Sequence, residues 1–190
     1  MGQRASNIIL LCEDKPHERF ARAFLKKWCG VDLRRRIRLV PIPDGRGDAK
    51  QWVCDRFPSE LKAYRVQANH LNNILVVVTD VDNRSLRQRV ESLDQACRDS
   101  DVEVRRQDER VVFITPKWAI ETWILILEGQ ALDETDRIEG KHKKLAEPIN
   151  TVMAERLADY CKNGNEDVTF PASLDVACLE FQRVSGVLRF

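Results

Sequence analysis

The chain has 190 residues, 43% of them apolar, and its 31 basic and 30 acidic side chains leave a net charge of +1. That length suits one compact domain rather than two, and the near-zero balance excludes capture of a polyanion by bulk charge, so a nucleic acid would have to meet a local basic patch. The apolar run near the N-terminus is too short for a signal-peptide core or a membrane span, and six cysteines with no CxxC pair and no nearby histidine argue against zinc and against a disulfide framework.

The expectation is therefore a soluble cytoplasmic protein with buried thiols. SNIILLCE is a short continuous apolar run, as in a strand covered on both faces. Pro16 then opens a helix with Phe20, Phe24, Leu25 and Trp28 on one face and Gly30 as its stop. RRRIRLVPI alternates, Ile37 and Leu39 against Arg36 and Arg38, which puts it at a sheet edge. PDGRGD reads as a loop, and a helix follows from Ala49 to about Arg65. NILVVVTD is the most apolar run and reads as a central strand; Leu86, Val90, Leu93 and Cys97 then recur at helical spacing. RVVFIT is a fourth strand, after which Thr115 suits an N-cap and Pro116 the first helical position, so TPKWAIETWILIL reads as a helix from there.

Alternating strands and helices predict an α/β fold with a mainly parallel four-stranded, Rossmann-like sheet flanked by helices. Beyond Gly129 a polar stretch leads to a helix over INTVMAERLADYC and another from near Pro171. The expected organisation is an α/β domain over residues 1–128 and a helical extension over 129–190 packed on it.

In a parallel sheet every strand delivers its carboxyl end to one edge, where ligands bind. The first strand runs out at Glu13 and Asp14, the central one at Asp80-Val81-Asp82. If these strands are neighbours, Glu13, Asp80 and Asp82 converge. In an extended segment Asp80 and Asp82 project together. Two carboxylates about 4 Å apart repel by roughly 4 kcal/mol at an effective dielectric of 20, so a proton, an arginine or a cation must offset them. Oxygen-only ligands suit Mg²⁺, Mn²⁺ or Ca²⁺. The competing reading is structural, because Asp often caps a following helix and DVDN is a good turn; Glu13 tips the balance toward a metal site.

Glu13 in ILLCED, Asp80 and Asp82 in VVVTDVDN, and Glu121 with Trp123 in PKWAIETWILIL together resemble the Toprim superfamily. Within it the chain is most similar to small stand-alone Toprim-like proteins of bacterial defence loci and to the Toprim part of overcoming-lysogenization-defect nucleases. The resemblance covers about residues 7–128. It implies Mg²⁺- or Mn²⁺-dependent phosphodiester cleavage of nucleic acid, DNA or RNA, in anti-phage defence. The alternative is a non-catalytic subunit that binds metal or nucleic acid beside a partner ATPase, nuclease or restriction subunit. Asp80, Asp82 and Glu13 would ligate the ion, or Glu13 would act through a water as general base.

Other positions carry two readings each. Glu121 either completes a second metal position or is a solvated helix residue, and Asp14 is either a ligand or a polar loop residue. Arg46, between Gly45 and Gly47, either meets a phosphate or belongs to a simple turn. Lys141, His142, Lys143 and Lys144, like the run around Arg36 and Arg38, either hold a nucleic-acid backbone or are solvated surface. Lys117 follows the fourth strand and is the best placed cation for a scissile phosphate. Trp118 is the one tryptophan placed to stack on a base.

Overall fold

The computed structural model describes residues 7–30, 36–43, 49–68, 71–136, 146–164 and 170–186. Four strands, β1 (Asn7–Cys12), β2 (Ile37–Leu39), β3 (Asn73–Val78) and β4 (Val111–Ile114), form one all-parallel sheet in the order β2-β1-β3-β4. β1 and β3 are the two central strands, in register from Asn7 opposite Asn73 to Cys12 opposite Val78. Both are buried along nearly their whole length, as their continuous apolar runs require. The alternating β2 lies at the edge, where the sequence puts it.

Side-chain alternation divides the core into two layers. Ile8, Leu10, Cys12, Ile74, Val76, Val78, Val112 and Ile114 face α1 (Lys15–Cys29), α4 (Ile120–Glu128), α5 (Asn150–Asn163) and α6 (Ala172–Val184). Ile9, Leu11, Leu75, Val77, Val111 and Phe113 face α2 (Ala49–Ala68) and α3 (Leu86–Asp99). The C-terminal helices are thus part of a main layer: Phe181 of α6 lies 4.4 Å from the Phe24 ring and 5.6 Å from Trp28. Chain direction across the sheet reverses between β1 and β3, so their carboxyl ends flank the crevice where open α/β sheets take ligands.

Three expectations are corrected. α4 begins at Ile120, five residues after Thr115. Residues 115–119 stay non-helical because Val81 donates its N–H to the Pro116 carbonyl at 2.7 Å, extending the β3–β4 pairing past the strand ends. On α3 Leu93 and Cys97 are buried and Val90 packs against the same core as expected, but Arg89 is buried with them and Leu86 is not. Cys161 of α5 and Cys178 of α6 are joined as a disulfide, their Cα atoms 4.9 Å apart; nothing in a 17-residue spacing between two helices announces it. The remaining four cysteines are free thiols, and burial pushes Cys29 up to about 12 and Cys97 to about 11. Among the described residues no helix is long and apolar enough to cross a membrane.

The outer edge of β4 is closed by side chains in place of a fifth strand. Arg183 of α6 donates to the carbonyls of Gln107, Glu109 and Val111 at 2.6–2.9 Å, and Glu180 accepts the Phe113 N–H at 3.4 Å. Just before β4, Glu109 binds Arg65 through both oxygens, at 2.6 and 3.0 Å, and accepts the Arg106 N–H at 2.8 Å. Burial would raise its carboxyl, but the Arg65 and Arg106 bonds outweigh that and hold it below the usual glutamate value. A depressed acid stabilises the fold above its unfolded value, about 4.3, and loses that contribution as pH falls through the folded value. Glu109→Gln is therefore expected to cost about 2 kcal/mol at neutral pH. In urea titrations the gap to wild type should close below pH 4; a gap independent of pH would contradict the clamp.

Candidate metal centre

Glu13 follows β1 directly and still pairs with the sheet, its N–H donating to the Val78 carbonyl at 3.1 Å. That carries its side chain across the β1–β3 crevice. Its Oε2 accepts from the Thr79 hydroxyl at 3.0 Å and from the Asp80 N–H at 3.1 Å. Asp80 and Glu13, from adjacent strand ends, therefore meet as expected.

A third residue joins them. Asp14 caps α1 by accepting the His17 N–H at 3.0 Å, and the cap turns the imidazole inward. His17 Nδ1 lies 2.6 Å from Asp14 Oδ1 and Nε2 lies 2.8 Å from Asp80 Oδ1. Burial pulls this imidazole down. The Asp80 charge and the bonds to Asp14 and Asp80 outweigh it and push the pKa well above the ordinary histidine value. With an acid at each nitrogen the ring donates both protons and bridges Asp14 to Asp80 as a cation. Burial and then the Asp80 charge raise the Glu13 carboxyl, with His17, the Asp80 N–H and Lys50 opposing.

One ligand atom from each of Glu13, His17 and Asp80 lies within 4.8 Å of the other two, and all three side chains are buried. This group could hold a metal ion, with His17 a ligand only when Nε2 is free of its proton.

Two further cations close the site. Arg89 of α3, 4% exposed, donates to the Thr79 hydroxyl and, at 3.6 Å, to Cys54 Sγ. The guanidinium lies 3.9 Å from Glu13 Oε2, and among the described residues its Nε has no hydrogen-bond acceptor. Lys50, in the first turn of α2, pairs with Asp82 and stands 4.0 Å from Glu13 Oε1. Burial lowers the lysine, but the Asp82 bond and the Glu13, Asp82 and Asp80 charges raise it overall.

Asp82 itself departs from expectation. It does not share a face with Asp80, because its φ of 59° takes the chain out of the extended form into the left-handed region, which Asp tolerates better than most residues. The turn sets up α3, whose Ser85 and Gln88 form a reciprocal capping box. Asp80 accordingly faces His17, and Asp82 faces Lys50.

The other predicted residues that are described stand in separate places. Glu121 is 3% exposed in the first turn of α4, so the solvated reading is wrong, and it lies outside the ligand group. Lys117 donates to the Arg84 carbonyl at 2.6 Å, tying the loop after β4 to the loop after β3. Arg38 pairs with Glu60, which Arg56 also binds at 3.0 Å, so that basic run serves the fold there. Arg46 and Lys141, His142, Lys143 and Lys144 lie outside the described residues. Sequence reasoning missed His17, Lys50 and Arg89. Only His17 left a usable signal, an imidazole three residues past a strand-end aspartate.

A groove of about 730 Å³ between α2 and α3 opens beside the site, with Lys50, Cys54, Asp82, Arg84 and Arg89 among its walls. Fold and site define a class: a Rossmann-like α/β domain whose carboxyl edge carries a buried acid–histidine group able to hold a metal ion. No family model, curated protein or solved structure matches the chain.

Proposed function

We propose that the protein is a Mg²⁺- or Mn²⁺-dependent phosphodiesterase that cleaves nucleic acid, a nuclease of Toprim type. One observation carries the reading: two carboxylates from adjacent parallel strands, Glu13 and Asp80, meet in a buried spot surrounded by His17, Lys50 and Arg89. The donor chemistry fits, since carboxylate oxygens suit Mg²⁺ and Mn²⁺. Glu13 and Asp80 would hold the ion. When bound, it polarises a phosphoryl oxygen and offsets the charge that develops there.

The chain's own residues do the positioning. His17, braced by Asp14, fixes the rotation of the Asp80 carboxylate, and Arg89 fixes Glu13 through the Thr79 hydroxyl. Lys50 faces the groove, so a phosphate entering there meets an ammonium, and Arg84 also lines the groove.

A second reading has its own support. Among the described residues, Asp55, Asp82, Glu91 and Asp99 also line the groove and outnumber the cations Lys50, Arg84 and Arg89. Such a lining is a poor track for a long phosphate backbone. That favours a non-catalytic subunit that binds metal and relies on a partner ATPase or nuclease. Purified protein with Mn²⁺ is expected to cleave labelled single- or double-stranded DNA or RNA, and EDTA to stop it. Mn²⁺ binding without cleavage of any of these would select the subunit reading, and no Mn²⁺ binding would refute both.

A further inference from the structure

We infer that Lys50 fills the second cation position of this centre, so that the chain takes one divalent ion rather than two; the inference rests on the metal reading above. In two-ion centres the ions stand about 3.5–4 Å apart, and a carboxylate between them gives one oxygen to each. Glu13 divides its oxygens in that way. Oε2 lies on the Asp80 side, bonded to the Asp80 N–H and the Thr79 hydroxyl. Oε1 lies 4.0 Å from the Lys50 ammonium, which also pairs with Asp82 Oδ2. The position a second ion would occupy, between Glu13 Oε1 and Asp82, holds a charged nitrogen.

Lys50 stands against the polarity of its own helix. It is the second residue of α2, whose first turn contains no acid. A cation there opposes the helix dipole, which favours negative charge at the N-terminus. Lys50 is met by the Asp82 and Glu13 carboxylates across the groove. The strand-end turn meets it from the other side, since the left-handed backbone of Asp82 carries that carboxylate away from Asp80 and to Lys50. Oε1 of Glu13 and the Asp82 carboxylate therefore already face a charged nitrogen, and the Oε2 side of Glu13, next to Asp80, is the position assigned to the external ion. Lys50 is a compact charge on a flexible stem, and its side chain is 32% exposed to the groove. A divalent ion there would have to displace it.

The test counts ions. Manganese titration followed by the loss of the free-ion electron paramagnetic resonance signal should give one bound Mn²⁺ per chain in the wild type and in Lys50→Arg. It should give two in Lys50→Met, with the line broadening of a close ion pair. Adding Asp82→Asn to Lys50→Met should return the count to one. Circular dichroism checks that each variant is folded. Two ions in the wild type, or one in a folded Lys50→Met, would overturn the inference. No ion in the wild type would instead bring down the metal reading, and this inference with it, so the wild-type count separates the two failures.

Discussion

Asp80→Asn and Glu13→Gln, made singly, are each expected to cut metal-dependent cleavage by about a thousandfold and to weaken Mn²⁺ binding in parallel. Both replacements keep shape and an acceptor oxygen. The Asn amide oxygen can still take the His17 bond that Asp80 Oδ1 takes at 2.8 Å, and the Gln oxygen can still take those from Thr79 and the Asp80 N–H. What goes is one negative charge of the two that would face the ion. Metal stabilisation of transition-state charge is worth several kcal/mol, and about 4 kcal/mol corresponds to a factor near a thousand. Single-turnover cleavage and calorimetric Mn²⁺ titration measure the two effects separately. Full activity in either folded variant would exclude this group as the centre.

His17→Ala is expected to lower folding stability by about 3–5 kcal/mol, the range for breaking a buried ion pair from one side. The imidazole is 1% exposed and joins two acids, so its removal leaves Asp80 buried beside Glu13 with no cation at its Oδ1. The pH dependence has a fixed sign. His17 has a raised folded pKa, so its contribution is fully present below the unfolded value of about 6.5. It fades as pH rises through the higher folded value. The stability gap between wild type and His17→Ala should be widest near pH 6 and should narrow toward alkaline pH. Chemical denaturation at a series of pH values reads this directly. A gap that widens with pH, or stays below about 1 kcal/mol, would mean that the bridge is not ionic.

The fold was legible because burial leaves its mark on composition. Continuous apolar runs marked β1 as covered on both faces and β3 as central, and the alternation of Ile37 and Leu39 with Arg36 and Arg38 marked β2 as an edge. The start of α4 was not legible, since Thr115 and Pro116 are good helix openers taken up instead by pairing beyond the ends of β3 and β4. Local preference lost to a tertiary hydrogen bond.

The site was half legible for a related reason. Glu13 and Asp80 sit at strand ends, and a parallel sheet brings strand ends together whatever else happens. Lys50 and Arg89 reach the same spot from the flanks of α2 and α3, and their arrival depends on how each helix is rotated about its axis. Asp82 was misjudged because a single left-handed residue reverses the direction in which a side chain leaves the backbone.

The central claim is that Glu13 and Asp80, from separate strands, share one hard ion. Anomalous diffraction at the manganese edge from crystals soaked in Mn²⁺ tests it most directly. A single peak within bonding distance of both carboxylates is the predicted result. Fully occupied Mn²⁺ elsewhere on the protein, with Glu13 and Asp80 unliganded, would contradict it.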